Sequence, residues 1–526
     1  MQVRRPSPDR GSVQARGVVV IGGGIGGLVS AALLAAKGCD VTLIEAAAGP
    51  GGKLRTVISG GAAIDGGPTV FTLRRVFEDV FAACGADLAD HVTMQPATTL
   101  ARHAWGDARL DLFADPARSE AAIGDFAGPA EARGYRAFRA ESQRLFEALD
   151  RPFLHGSKTN PLTLGWRMGA RGLPDFVNLR PFTTMARALG GYFKDPRLRQ
   201  LFGRYATYCG SSPFQCPATL MLVAHAEASG VWLIDGGMHR LALALEALGR
   251  SQGVRFRYNA PVREIVVERG RAAGVVLASG ERIAAGSVVC NADAAALGAG
   301  HLGEAARRAA SPVPARRRSL SAMVWTASAR TSGFPLTRHN VFFSDDYAAE
   351  FAALAAGRLA DAPSVYICAQ DRDSAGAAPG GAERIQIIVN APAIGDGAGF
   401  SAAEIAACQR QMLDTVARSG LSLDLEPGAV LTTPSEFAGL FPATGGALYG
   451  AASHGWAASF QRQGSRTRIP GLYCAGGSTH PGAGVPMAAL SGRLAAHCLL
   501  QDQAAQRPAQ WRIGNLPRPA NLEPAK

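Results

Sequence analysis

At 526 residues the chain exceeds what one hydrophobic core usually serves, so two domains, or one domain carrying a large insertion, are expected. Apolar residues make up 47% of it and charged residues only 18%, which excludes intrinsic disorder and leaves a folded protein with a sizeable core. The net charge of +12 is unevenly placed, and nine scattered cysteines with no CxxC pair argue against a disulfide framework or a metal site and for a reducing compartment.

The chain opens on MQVRRPSPDRGSVQAR, basic and Pro/Ser-containing with no apolar core of a signal peptide. Residues 1–16 are therefore expected to be a disordered arm, and the location cytoplasmic. The next stretch, VVVIGGGIGGLVSAALLAA from Val18 to Ala36, carries no charge and would pass for a membrane span by hydropathy alone. Three consecutive glycines after a β-branched run predict something else: a buried strand over 18–21, a turn over 22–27 and a helix over 28–37. Gly22, Gly24 and Gly27 stand at G-x-G-x-x-G spacing with Gly26 among them, Gly38 closes the helix, and a second strand over 41–44 ends at Glu45. That context points to a dinucleotide. Gly22 permits the tight turn, Gly24 lets backbone approach a pyrophosphate, Gly27 lets the helix pack closely, and Glu45 is placed for a ribose hydroxyl. The pyrophosphate would lie on the positive end of the helix.

Two further glycine turns follow, Gly51-Gly52-Lys53-Leu54-Arg55-Thr56 and Asp65-Gly66-Gly67-Pro68-Thr69. Between residues 151 and 204 ten basic residues face two acidic ones, a net +8 interleaved with Phe153, Trp166, Met168, Phe176, Phe182 and Phe193. This mixture suits an anionic bilayer surface, with an ordinary solvated helical face as the alternative. Nucleic acid is set aside because no recognition motif accompanies the charge. GVWLIDGGMHRLALALEALG (230–249) adds a glycine turn before an Ala/Leu-rich helix, and 259–293 reads as successive strands turning at Arg269-Gly270 and Ser279-Gly280. Strand-like runs recur over 341–391. Near the end, GLYCAGGSTHPGAGVPMAALSGRLAA (471–496) runs from a strand through a Gly/Pro loop into a helix after Pro486, as if to aim the helix start at a ligand. There are no internal repeats and no second strand–G-x-G-x-x-G–helix unit, so a separate nicotinamide domain is not implied.

The glycine turns near Gly51 and Gly66 and the C-terminal loop resemble those of the amine-oxidase and phytoene-desaturase group of flavoproteins. DGGPTVFT (65–72), YCGSSPFQCPATLMLVAHAEASGVWLIDGGMHRLALAL (208–245) and the 471–496 stretch narrow the resemblance to the carotenoid desaturases, the phytoene-desaturase-like carotenoid/retinoid oxidoreductases. Leu233 to His239 and Pro486 to Leu490 are more similar to the 1-hydroxycarotenoid 3,4-desaturases (methoxyneurosporene dehydrogenases) of purple phototrophic bacteria. The resemblance implies an α/β fold: a Rossmann-like FAD-binding domain of the glutathione-reductase type with an inserted mixed α+β substrate domain. The FAD domain would comprise 17–72, 230–293 and 434–500, the substrate and membrane-association domain 73–229 and 294–433, and 501–526 a flexible tail. FAD would be held by Gly22, Gly24, Gly26, Gly27, Glu45, Gly52, Lys53 and Pro68, by the backbone of Val262, and by Gly476, Gly477, Gly484, Val485 and Met487.

The implied reaction removes two hydrogens from adjacent carbons of a linear carotenoid, with a hydride going to flavin and a proton to a base or water. Oxygen or a membrane quinone would be the electron acceptor. A cation left at an allylic carbon is delocalised along the polyene, so positioning against the flavin matters more than strong acid–base groups. Asp235 and His239 are the candidate catalytic residues, and with Arg240 and His480 the candidate polar partners of a substrate hydroxyl. His480 is also a candidate brace for the flavin loop. Cys209 and Cys216 are expected in the core. A long polyene stays in the bilayer unless an apolar tunnel receives it, so a peripheral membrane protein with the basic segment around the tunnel mouth is expected. A phytoene-type desaturase, a carotene isomerase and a flavin-free lipid-binding escort module remain alternatives on the same fold.

Overall fold

A computed structural model of the chain describes residues 17–157, 163–164, 180–373 and 376–506. The expected arm, much of the basic segment and the end of the tail lie outside the described residues.

Five strands form one parallel sheet in the order Arg255–Arg257, Asp40–Ile44, Gly17–Ile21, Ser287–Cys290 and Leu472–Cys474, so segments far apart in the chain share one layer. The central strand reads as an unbroken apolar run because both its faces are covered: Val18, Val19 and Val20 are all buried. The following helix, Ile25–Ala36, starts three residues earlier than the glycine spacing predicted, and takes Gly26 and Gly27 into its first turn. Both glycines are there to let other backbone in. A Cβ on Gly27 would collide with the Gly22 carbonyl, and one on Gly26 would stand 2.7 Å from the Gly476 amide. The helix ends at Ala36, with Gly38 in the left-handed region at φ +80°.

The C-terminal helix, Val485–Ala505, lies across this first helix, and Gly492 is the contact point: a Cβ there would strike the Gly26 carbonyl. It also corrects the expected tail. Residues 501–505 are helical, held by an Arg466–Asp502 ion pair at 2.9 Å and by the Tyr473 hydroxyl on Asp502 at 2.9 Å. The same core takes in Phe77, Val80 and Phe81 from the helix Arg75–Ala83, whose apolar residues recur at helical spacing on one face. A small sheet joins Phe71–Thr72, Val231–Ile234 and Met94–Pro96, so the division expected after residue 72 falls within a packed layer.

The second layer is a larger sheet in the order Ser422–Leu425, Ser321–Ser332, Glu383–Ala391, Val365–Ala369, His339–Phe342, Thr99–Trp105 and Ala108–Phe113, with Val430–Thr432 beside Ser321–Ser332. One face packs Ile385, Ile387 and Val389 against Cys408, Met412 and Val416 of the helix Ala402–Ala417. The other places Leu110, Leu112 and Val341 in a core with Phe138, Phe202 and Leu490. The helix Pro434–Leu440 sets Phe437 against Ala322 and Val324 of this sheet. Among the bonds that stitch the layers, Gln370 exchanges two 3.0 Å hydrogen bonds with the Asp65 backbone and the Gln386 amide donates to Gly67 at 2.9 Å.

Among the described residues of 151–204 the basic side chains divide between surface and interior. Arg151, Arg180, Arg187, Lys194 and Arg199 are exposed, but Phe153, Leu164 and Phe193 are buried and Arg204 points into the fold. Their apolar neighbours belong to the second core.

Candidate functional site

The carboxyl ends of the parallel strands converge on one residue that the sequence reading did not single out, Asn291. It follows the Ser287–Cys290 strand, and its side chain fills the space that four glycines leave open. A Cβ on Gly24 would lie 2.8 Å from its Nδ2, one on Gly26 2.6 Å from its Oδ1, and Gly22 and Gly27 crowd the same side chain. Nδ2 donates to the Gly22 carbonyl at 3.3 Å, while Oδ1 is buried with no partner among the described residues. A strand-end Asn carries no local pattern; only its position after a β-branched run could have marked it.

The second glycine turn lies directly on the first. Gly51 donates to Gly23 at 2.8 Å, and Gly52, at φ +59°, stands against Gly24, where a side chain would be 3.2 Å from its Cα. Glu45 accepts from the Gly23 amide at 2.5 Å and from Ala47 at 2.8 Å, and its own carbonyl receives Ala260, two residues before Val262. The structure therefore brings Gly22 to Gly27, Glu45, Gly52 and Val262 to one edge of the sheet. At the other end of the chain Gly476 donates to Ser491 Oγ at 2.7 Å and touches Asn291, which draws Gly476 and Gly477 to the same cradle. Gly484 caps the Val485–Ala505 helix with no side chain of its own, and Pro486 lacks an N–H, so the free donors of that first turn include Val485 and Met487. Narrow glycine passages, uncapped helix starts and an unpartnered buried amide oxygen fit a dinucleotide with a flavin ring.

Lys53 keeps 32% of its side-chain surface accessible yet sits so deep that desolvation lowers its pKa, as a residue facing an internal space does. Its Nζ donates to the Leu448 carbonyl at 2.7 Å, lies 3.9 Å from Asp293 and stands 5.1 Å from the Phe441 ring. Pro68 is exposed in the loop that leads to Thr69.

The two candidate catalytic residues fall outside this cradle in different ways. Asp235 is exposed on a turn, its backbone bonded to Thr93, and the structure brings it to no other candidate. His239 donates from Nδ1 to the Leu54 carbonyl at 2.8 Å and abuts Gly51, so it braces the second glycine turn. The residue that orders this corner is Asp65, whose carboxylate accepts from the Met238 amide at 2.5 Å and the His239 amide at 3.3 Å and so caps the helix from a distant strand. Arg240 is exposed, and His480 is buried with Nε2 on the Phe153 carbonyl at 2.9 Å, a brace between the C-terminal loop and the second layer. Cys216 is buried and Cys209 half-buried. Among the described residues no group of three or more His, Cys, Asp or Glu could hold a metal ion.

A second polar set lies in the other layer. Arg204 donates to the Tyr208 hydroxyl at 3.3 Å, and Tyr205 and Tyr208 donate to the two oxygens of the buried Glu227 at 2.7 and 2.5 Å. His103 and His339 are buried, and desolvation, reinforced by nearby arginines, pushes both pKa values down to about 3. Below the ordinary histidine value near 6.5 the unfolded chain takes up protons that these two residues refuse, so each depresses stability as pH falls from about 6.5 towards 3. The expected slope is about 1.4 kcal/mol per pH unit for each residue. Denaturant titrations between pH 7 and 5 should show it, and His103→Phe should flatten the profile relative to the native chain; an unchanged slope would refute the assignment.

The whole arrangement has known counterparts. The chain matches the family described as flavin containing amine oxidoreductase over residues 25–500. It is 51% identical to a hydroxyneurosporene desaturase of Rubrivivax gelatinosus, covering 92% of this chain and 93% of that one, and 49% identical to a hydroxyneurosporene desaturase of Cereibacter sphaeroides, covering 93% and 98%. A 1-hydroxycarotenoid 3,4-desaturase of a Flavobacterium species is 30% identical over 92% of this chain and 99% of its own. Among solved structures, cyclohexylamine oxidase from Brevibacterium oxydans superposes with a TM-score of 0.52 over 94% of this chain and 100% of that one, at 16% identity, a likeness of fold.

Proposed function

Because the chain belongs to the family of flavin-containing amine oxidoreductases, we propose that its FAD-dependent oxidation acts on linear carotenoids, introducing the C3–C4 double bond into a 1-hydroxylated substrate. The observation that carries the reading is the full-length likeness to hydroxyneurosporene desaturases, together with the glycine cradle around Asn291. FAD, when bound, supplies the hydride acceptor. Gly22 to Gly27 and Glu45 would hold its adenosine and pyrophosphate end. Gly476, Gly477 and the first turn of Val485–Ala505 would hold its ring end, where the helix dipole favours the negative charge of reduced flavin. Lys53 adds a cation in the same internal space. Phe441 and Leu448, half-buried beside Lys53, would keep water from the polyene.

The test is anaerobic incubation of the FAD-loaded protein in liposomes carrying either a 1-hydroxylated linear carotenoid or phytoene, following flavin bleaching and the product chromophore. Bleaching with a lengthened chromophore for the hydroxylated substrate alone is expected. Turnover of phytoene would move the reading to the parent desaturase, and failure to take up flavin would favour a lipid-binding module.

We also infer peripheral contact with an anionic membrane. Among the described residues no helix is long and apolar enough to cross a bilayer. Phe182, 78% exposed, and Trp456, 44% exposed, instead pair at the surface with ring centroids 5.7 Å apart, and the exposed Arg180 and Arg187 flank Phe182 in the sequence. Exposed aromatic rings with basic residues nearby in the sequence suit the headgroup boundary. Replacing both rings, Phe182→Ser with Trp456→Ser, should weaken co-sedimentation with phosphatidylglycerol-containing vesicles by roughly tenfold while flavin content is kept; unchanged sedimentation would rule this face out.

A further inference from the structure

A hydroxyl on the substrate has to be recognised somewhere, and its chemistry restricts where. The carbon that bears it lies two carbons from the bond oxidised, so the recognising group must sit close to the flavin ring rather than at the far end of a tunnel. It must also lie among apolar side chains, since everything else the substrate offers is hydrocarbon.

One polar chain in the structure meets both conditions. Thr69 directly follows Pro68, one of the residues that the family resemblance sets against FAD, and its Oγ1 lies 2.6 Å from the Tyr366 hydroxyl. That hydroxyl lies 2.8 Å from His339 Nδ1, and the two rings stack at 6.2 Å. Tyr366 stands on the sheet face that looks away from the Ala402–Ala417 helix, opposite Ile388 on one neighbouring strand and Val341 on the other. Ile388 beside it is half-buried, and Tyr366 packs against the core that holds Val341, Phe343 and Leu490, as do the half-buried Val70 and Met487. Thr69 and Tyr366 both keep some accessible surface. Burial raises the Tyr366 pKa well above its ordinary value, so this surface faces an internal space rather than bulk water, and the phenol stays protonated.

The hydrogen-bond inventory leaves capacity at the Thr69 end. A phenol between two strong partners uses its single O–H and one lone pair, a threonine hydroxyl keeps beyond its bond to Tyr366 either its proton or two lone pairs, and the Cys368 thiol that also reaches both groups is only a weak donor. The direction is not locked from behind. His339 is neutral, and its Nε2 is buried with no partner among the described residues, so nothing on that side selects a tautomer. With the proton on Nδ1, the sequence His339 to Tyr366 to Thr69 leaves the threonine O–H free to donate; with the opposite tautomer, Thr69 is free to accept.

We propose that Thr69 and Tyr366, backed by His339, form the subsite that reads the hydroxyl of the carotenoid and sets its register against the flavin. The proposal rests on the hydroxylated-substrate reading given above. No covalent step is assigned to these residues: Thr69 and Tyr366 contact the hydroxyl, and His339 is a positioning residue acting through Tyr366.

The experiment uses the full FAD-loaded chain and the near-isosteric variants Tyr366→Phe and Thr69→Val in liposomes. It titrates a 1-hydroxylated linear carotenoid and the same carotenoid lacking the hydroxyl, reading the dissociation constant by quenching of protein fluorescence and kcat/KM by anaerobic flavin bleaching. The native chain should prefer the hydroxylated carotenoid, and each variant should lose about tenfold or more of that preference while binding the hydrocarbon as before. Variants that weaken both ligands equally would show a merely structural role and overturn the proposal. Variants that keep the full preference would overturn it as well, leaving the hydroxylated-substrate reading intact. A native chain with no preference at all would overturn that underlying reading, and the subsite with it.

Discussion

Gly26→Ala is expected to yield a folded but flavin-depleted protein, with bound FAD below about a tenth of the native content after gel filtration. The added methyl would stand 2.6 Å from Asn291 Oδ1, 2.7 Å from the Gly476 amide and 3.0 Å from the Gly476 Cα. None of these can step aside cheaply. Asn291 is wedged among the other glycines, and Gly476 is backbone tied to Ser491. Overpacking of this kind costs about 1–3 kcal/mol, and relief requires separating the first helix from the C-terminal loop, which parts the two halves of the cofactor cradle. The ratio of flavin to protein absorbance and a thermal melt with added FAD check it. As a control, Gly38→Asn places a residue that tolerates the left-handed region where nothing lies within 4 Å, and should keep its flavin. Native flavin content in Gly26→Ala would mean that the two chain ends do not share one cofactor.

Glu227→Ala should cause the largest loss of stability, about 3–5 kcal/mol, as expected when one member of a buried charged network is removed. Glu227 is 3% exposed and accepts both tyrosine hydroxyls; Arg204 reaches it through Tyr208. Alanine leaves two phenol donors without acceptors and a guanidinium without its counter-charge, and the cost of those orphaned groups exceeds the value of the contacts themselves. Glu227→Gln keeps an acceptor oxygen and should lose less than half as much. Urea denaturation of the three proteins with FAD present decides it, and a loss under about 1 kcal/mol for the alanine variant would show that water replaces the carboxylate.

The parts of the candidate site that were legible in the sequence are those whose geometry is local. Gly22 dictates a turn because its φ of +95° favours glycine, Gly24 and Gly27 are required by the close approaches of other groups, and Glu45 follows at the distance set by one helix and one strand. The start of that helix was misplaced because Gly26 and Gly27 read as turn residues, whereas they occupy helical positions for the sake of contacts made by Asn291 and Gly476. Asp235 and His239 drew notice as polar residues beside a glycine turn. One proves to be surface, and the other a brace for the Gly51 turn, since the capping charge comes from Asp65, across a different strand.

What the amino-acid sequence determined by itself is the dinucleotide turn, the family and the FAD that goes with it, because backbone permissiveness and short-range spacing are written residue by residue. What only the tertiary structure decided is which side chains share an interior. Asn291 joins glycines from both ends of the chain, Arg204 leaves a basic segment for a buried carboxylate, and Thr69 meets Tyr366 across 297 positions. Contacts of that kind are set by how two sheets are laid against each other, and the hydrophobic burial that fixes the arrangement acts on area and carries no local signature.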